Sequence, residues 1–345
     1  MYRDVFISDF STLGGMITAF LNKAEENAIL TEATARAYDS NNLFTPYMQE
    51  RSLRAICDQF LALEKLENWT LDYASLIHES AQEVLVVMAG NLPLVGFHDL
   101  LSVLASGKKA VVKLSSMDNI LLPALTKLLS RINSYWDSRI SYIAGLPKYA
   151  GIVIATGNDS TAAFFGQSYP TAKKLIRGAK SSVAVLTGVE NREDVSCLAN
   201  DMFLYFGMGC RSVSTLLVPD WYDTAWLVKE LGTFSSITEG SASYRNSYKY
   251  QKALSLMKGD NFLDGGFFLL KNESAFPPPM GVVGVVPYSA KMGPGDVLEE
   301  LDQSIQCVVN YPYKGEYIGL GESQQPRLDD YADGVNSLAF LLKNS

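Results

Sequence analysis

Short unbroken runs of apolar residues, each followed by a turn and then a helical pattern, are what most restrict the fold of this chain. Val84-Leu85-Val86-Val87-Met88, Ala110-Val111-Val112-Lys113-Leu114, Gly151-Ile152-Val153-Ile154-Ala155 and Ser182-Val183-Ala184-Val185-Leu186 all have this character. Strands without polar alternation suit a parallel sheet covered on both faces. Val95 to Ser106 reads as a helix closed by Gly107, and Asn119 to Ile132 as a second helix. This β-α-β-α alternation predicts a doubly wound α/β sheet with right-handed crossovers.

The flanks extend the pattern. Residues 11 to about 82 read as helical from the spacing of Met16, Phe20, Leu21 and Ala24, and again of Leu53, Ile56, Phe60, Leu61 and Leu63. Ile140 to Ile143 is a further strand. After Gly188 come a helix from Arg192 to Tyr205, a strand from Val213 to Val218, and a helix from Trp221 to Leu231. Strands then follow at Gly266–Leu270 and Val282–Pro287, a helix at Val297–Gln306 and a strand at Cys307–Asn310. The 345 residues suggest two domains.

Charge and residue scarcity narrow the functions. A net charge of −8 with both signs interspersed excludes the basic footprint of a nucleic-acid binder. The four cysteines, Cys57, Cys197, Cys210 and Cys307, form no CxxC pair, and Met1 to Phe10 has no apolar leader core, so reduced thiols and a cytoplasmic location are expected. The apolar runs, Val84 to Ala89 among them, read as too short to span a membrane. His78 and His98 are the only histidines, and both read as structural; no metal site of ordinary His spacing can be built.

Several positions could carry chemistry. Cys210 follows Phe206-Gly207-Met208-Gly209 and precedes Arg211. The glycines leave the sulfur unshielded, and Arg211 or a nearby helix N-terminus would favour the thiolate. Burial as a small apolar side chain is the other reading of this cysteine, and local sequence leaves both open. Asn91 follows the strand ending at Gly90, where its amide could donate to an oxyanion or simply serve a turn. Lys113 could reach a ribose or phosphate, or snorkel to solvent. Thr156-Gly157-Asn158 lies at a strand-to-helix junction that offers N–H groups to a pyrophosphate. Neither GxGxxG nor a Walker A sequence is present.

The order and spacing of Gly90-Asn91-Leu92-Pro93, Gly107-Lys108-Lys109-Ala110-Val111-Val112-Lys113-Leu114-Ser115-Ser116, Ala155-Thr156-Gly157-Asn158, Ala184-Val185-Leu186-Thr187-Gly188 and Phe206-Gly207-Met208-Gly209-Cys210 resemble the aldehyde dehydrogenase superfamily. Within it the chain looks most like the acyl-CoA reductase branch of LuxC-type fatty-acid reductases, best over residues 84 to 220. The resemblance implies an α/β fold with a Rossmann-type cofactor domain and a second α/β catalytic domain. The expected boundaries are 1–186 for the helical region and cofactor domain and 187–312 for the catalytic domain. A segment 313–345 would return to the first domain or form an oligomer contact.

The same resemblance implies roles. Cys210 takes the nucleophile position and Asn91 the oxyanion donor. Lys113, Ser116, Thr156, Gly157, Asn158 and Gly188 take cofactor positions, with no metal. Hydrolytic relatives carry a Glu-Leu-Gly-Gly segment whose Glu activates water; here the aligned segment reads Val185-Leu186-Thr187-Gly188. Ser116 stands where NAD-preferring relatives often have Glu, which favours NADP, with NAD as the alternative. The later Glu-x-Phe-Gly-Pro segment is not intact, with Glu273 and Phe276 near its place. The expected activity is reduction of an acyl-CoA or acyl-carrier thioester to an aldehyde by a homo-oligomer. The competing readings are an aldehyde dehydrogenase making acid or acyl-CoA, and a non-catalytic relative that binds nucleotide or a carrier.

Overall fold

The computed structural model describes residues 2–272 and 275–344, without the side chain of Gln303. In chain order the first elements are α1 (Tyr2–Leu21), α2 (Ala28–Ser40), α3 (Pro46–Gln59), α4 (Leu63–Leu71), β1 (Glu83–Val87), α5 (Phe97–Ala105), β2 (Lys109–Lys113), α6 (Leu121–Ile132), β3 (Ile140–Tyr142), β4 (Ile152–Thr156), α7 (Asp159–Ser168) and β5 (Lys173–Arg177). They continue with β6 (Ser181–Val185), α8 (Arg192–Phe203), β7 (Val213–Pro219), α9 (Thr224–Leu231), α10 (Ala242–Lys258), β8 (Leu263–Asp264), β9 (Leu269–Lys271), β10 (Val282–Tyr288), α11 (Pro294–Leu301), β11 (Ile305–Val309) and α12 (Ser337–Lys343). The chain divides into two units, residues 1–179 with 326–345, and residues 180–325.

The first unit holds a parallel sheet in the order β3-β2-β1-β4-β5. The chain leaves β1 toward β2 and β3, then returns to the other side of β1 as β4. The switch point therefore lies between the carboxyl ends of β1 and β4, where open sheets of this kind bind ligands. Both faces are covered, as the apolar strands require. Val84, Val86, Ala110, Val112, Ile152 and Ile154 join the main core, while Leu85, Val87, Val153 and Ala155 pack against Phe165 and Tyr169 of α7 and its end. Leu328 and α12 return to this core through Leu338 and Leu341.

α1 is long and apolar enough, by length and composition, to cross a membrane, contrary to the expectation from the strand runs. In this fold its Phe6, Phe10, Leu13 and Ile17 are buried in the core, with Phe6 and Phe10 packed edgewise on Trp136. Full burial of such a side chain contributes roughly 1.5–3 kcal/mol.

The second unit holds a sheet in the order β11-β6-β7-β10-β9-β8, parallel except for the β8–β9 pair. β6 is interior to it. The strand assigned from sequence to the end of the first domain thus belongs to the second sheet, and the first sheet ends instead on β5. That strand escapes a hydrophobic reading because it is an edge strand, Lys173-Lys174-Leu175-Ile176-Arg177, with the charges typical of sheet edges. α10 escapes it too: of its 17 residues only Tyr244 and Ser255 are buried, so no apolar stripe announces it.

Candidate active site

At the carboxyl edge of the first sheet, three loops carry six of the expected site residues. Asn91 lies in the loop after β1, Lys113 and Ser116 end β2 and open the loop beyond it, and Thr156, Gly157 and Asn158 lead from β4 into α7. Asn91 is half-buried, Lys113 is half-buried with Nζ donating to the Leu114 carbonyl at 3.1 Å, and Ser116 is exposed. Gly157 has no room for a side chain, since a Cβ there would meet Thr161 Cγ2 at 2.7 Å. Asn158 acts as the α7 N-cap: its Oδ1 accepts from Thr161 N at 2.9 Å and Ser160 Oγ at 2.7 Å. The Asp159 carboxylate accepts from Ala179 N at 3.0 Å.

Three charged residues at this edge were missed from sequence. Arg177, at the end of β5, donates through Nη1 to Asp99 of α5 at 2.6 Å, and both side chains are buried. Thr156 Oγ1 lies 3.5 Å from the same carboxylate. Arg177 Nε and Nη2 are buried without a partner among the described residues. These two atoms form the edge of a guanidinium that suits an oxyanion or carbonyl oxygen bidentately. Asp118, in the loop after β2, accepts from Leu94 N at 2.7 Å; burial pushes its carboxyl up to about 6, and its Oδ1 has no partner among the described residues. The available signal was a charged residue inside an apolar pattern, as Asp99 is in Phe97-His98-Asp99-Leu100-Leu101.

In the second unit Cys210 is half-buried in the turn that enters β7. In chain order Cys210 lies between the short helical turn Leu204–Gly207 and β7, not at the first turn of a helix. The turn is reached through Tyr205, Phe206 and Gly207, all at positive φ (56°, 59° and 70°). Two non-glycine residues in that region cost roughly 1–2 kcal/mol each and persist only where surroundings hold them. Tyr205 and Phe206 are buried, and Phe206 packs on Tyr244. Ser212 Oγ accepts from Gly209 N at 3.1 Å, and Ser182 Oγ donates to the Cys210 carbonyl at 2.9 Å.

Residues 321–324 brace the same turn. Arg211 Nε donates to Ser323 O at 2.7 Å, and Gln324 Nε2 to Ser212 Oγ at 3.4 Å and to the Asp201 carbonyl at 3.2 Å. The Asp201 carboxylate, fully buried, accepts from Gly321 N, Ser323 N and Ser323 Oγ at 2.6, 3.0 and 2.7 Å. Burial pushes this carboxyl up to about 6 against those hydrogen bonds. A cavity of about 220 Å³ adjoins the turn, lined among others by Met202, Phe206, Met208, Tyr244 and Met280.

The other thiols are placed differently. Cys57 is buried in α3 and pushed up to about 11 by burial; Cys307 is buried in β11, with Ser182 Oγ 3.0 Å from its sulfur. Cys197 is half-buried in α8, and burial followed by nearby carboxylates raises its pKa. His98 is structural: its Nε2 lies 3.0 Å from Leu328 O, and its ring meets Phe60, Trp69 and Tyr331. His78 is exposed, and not on a helix but in the coil beyond α4.

Two positions singled out from sequence lie in the second sheet and its turn. Val185 is 1% exposed in the apolar layer of that sheet, so the residue type there carries no information about a water-activating base. Gly188 is a turn glycine at φ 92°: its N–H donates to Glu190 at 2.9 Å, and the exposed Trp221 ring lies over its Cα face. A strand ending in a small-residue turn, as in Glu-Leu-Gly-Gly, recurs at Ile176-Arg177-Gly178-Ala179, also without Glu. Glu273 lies outside the described residues. Among the described residues no cluster of His, Cys, Asp or Glu could hold a metal ion.

A family model described as acyl-CoA reductase (LuxC) matches residues 22–233. No curated protein matches the chain. Solved structures similar to it include aldehyde dehydrogenase 21 from Physcomitrella patens in complex with the reaction product succinate (13% identity, 100% of this chain and 89% of that one, TM-score 0.62). An NAD+ complex of aldehyde dehydrogenase from Bacillus cereus (15%, 88% and 70%, TM-score 0.61) and a Mycobacterium tuberculosis aldehyde dehydrogenase complexed with NAD+ (13%, 90% and 77%, TM-score 0.60) are also similar. At these identities the TM-scores establish a shared fold and nothing finer.

Proposed function

Because the chain belongs to the LuxC acyl-CoA reductase family, we propose that it reduces an acyl thioester to an aldehyde through an acyl group carried on Cys210. The family match carries this reading, since it covers Cys210 together with the carboxyl-edge loops of the first sheet. The Cys210 thiolate attacks the thioester carbonyl, the C–S bond to coenzyme A or a carrier thiol breaks, and that thiolate leaves. Asn91 and the Cys210 N–H are the proposed donors to the oxyanion, each worth about 2.7–4 kcal/mol in such sites. The turn contributes rigidity: Ser182 Oγ, Ser212 Oγ and residues 321–324 hold the backbone that presents the sulfur.

The first unit fits a phosphate-bearing dinucleotide. Arg177 offers two buried N–H groups with no acceptor among the described residues. Lys113, Ser116, Thr156 and Gly157 are the residues proposed to hold NAD(P)H, which when bound supplies the hydride that reduces the acyl carbonyl. NADPH is favoured. Ser116 is exposed in the loop after β2, while Asp118, the carboxylate of that loop, is buried against Leu94 N and is not an exposed neighbour for a 2′-phosphate. A homo-oligomer in the cytoplasm remains the expected context. The test is Cys210→Ala, which should abolish aldehyde formation from acyl-CoA while NADPH binding persists. Retained turnover, or acid as the product without added coenzyme A, would overturn the reading.

A further inference from the structure

The loop that carries Asn91 is gripped at three points within the first unit. At Gly90 a Cβ would collide with the Ser115 side chain, so the close approach of the loops after β1 and β2 at this point requires glycine. Ser52 Oγ of α3 donates to the Pro93 carbonyl at 2.7 Å. Leu94 N donates to Asp118 Oδ2 at 2.7 Å, and Leu94 itself is at φ 61°, its side chain 4% exposed. A leucine in the left-handed region needs its surroundings to hold it there, and such outliers concentrate where a loop must keep one shape. The N–H of that residue is held by a buried carboxylate, whose burial pushes it up to about 6 against this hydrogen bond.

We propose that Asp118 is the positioning residue of the reaction, clamping Leu94 N so that the turn three residues earlier presents the Asn91 amide in one fixed orientation. This rests on the reading of Asn91 as the oxyanion donor. Asp118 touches no reacting atom; it acts through four residues of backbone. Its carboxylate bond is charge-assisted and stronger than a neutral one, which suits a loop whose donor must not reorganise during attack.

Two reactions of Cys210 separate positioning from folding. Acylation by a thioester passes through a tetrahedral oxyanion and needs the donor. Alkylation by iodoacetamide displaces iodide and needs none. Coenzyme A release from hexanoyl-, decanoyl- and tetradecanoyl-CoA, measured without cofactor, reads the first; mass spectrometry of the alkylated thiol reads the second. Asp118→Ala should slow acylation roughly 10–100-fold, with alkylation within about twofold and NADPH affinity unchanged. Asp118→Asn keeps an acceptor for Leu94 N, so it should recover most of the acylation rate and serves if the alanine variant folds poorly. Acylation and alkylation falling together, or neither falling, overturns the proposal. If Asn91→Ala slows acylation and Asp118→Ala does not, the clamp alone is wrong. If Asn91→Ala has no effect, or the parent protein is not acylated, the underlying reading fails and the clamp falls with it.

Discussion

Replacing Asp201 by Asn measures how the nucleophile turn is braced. The buried carboxylate accepts three hydrogen bonds from residues 321–323, yet burial raises its pKa from 3.8 to about 6. The unfolded chain releases this proton at lower pH than the native state does. The native state therefore binds more protons across that window, and the carboxylate's contribution to stability falls as pH rises through it. At 1.36 kcal/mol per unit, holding the ion costs about 3 kcal/mol at neutral pH. Asparagine removes the charge but turns its NH2 group toward a buried donor, a mismatch costing about 1–3 kcal/mol. At pH 7 the two effects nearly offset one another, or the variant gains. At pH 5 the wild-type carboxylate is mostly protonated; the first effect shrinks by about 1 kcal/mol and the second stays. The Tm of Asp201→Asn minus that of the wild type should therefore drop by roughly 2–4 °C between pH 7 and pH 5, given about 2–4 °C per kcal/mol for a unit the size of residues 180–325. Paired thermal denaturation at matched salt reads it. Parallel Tm curves over that range would refute the burial argument.

Three further outcomes follow from the same geometry. Iodoacetamide should modify Cys210 well before Cys57, whose thiol is buried and pushed up to about 11, as resolved by peptide mapping; equal slow labelling of both would count against a reactive nucleophile. Gly188→Ala should lower Tm by roughly 2–8 °C, because φ 92° costs a side chain about 1–2 kcal/mol while exposed Trp221 can swing aside; NADPH affinity should not change, and a large loss would restore Gly188 to the cofactor site. Arg177→Met should destabilise by about 3–5 kcal/mol in chemical denaturation, since it strands the buried Asp99 carboxylate, and Arg177→Met with Asp99→Leu should recover much of that; no recovery would deny the pairing.

The fold was legible where burial writes itself into the residue order. Val84–Met88, Ala110–Leu114 and Gly151–Ala155 read as two-sided strands and form the centre of the first sheet. β5 was invisible because an edge strand needs apolar residues on few positions, and its lysines broke the pattern. Val185 and Gly188 lie beyond it, in the second sheet and its turn. α10 lacked a signal because its polar face nearly encircles it. The glycines before Cys210 do lie in a turn, where the residue is half-buried. The left-handed Tyr205 and Phe206, and the Asp201 brace, were beyond sequence reading, because each depends on partners that lie far along the chain.

Leu328, Leu338 and Leu341 belong to the same core as Phe6, Phe10 and Leu13. During ribosomal synthesis the opening 179 residues must therefore wait for some 146 others before their last packing partners emerge. Until then α5 lacks the cover that α12 gives it, and exposed apolar surface of this kind favours aggregation. Truncation before Ser337, which removes α12, should therefore lower the soluble yield and not merely shorten the protein.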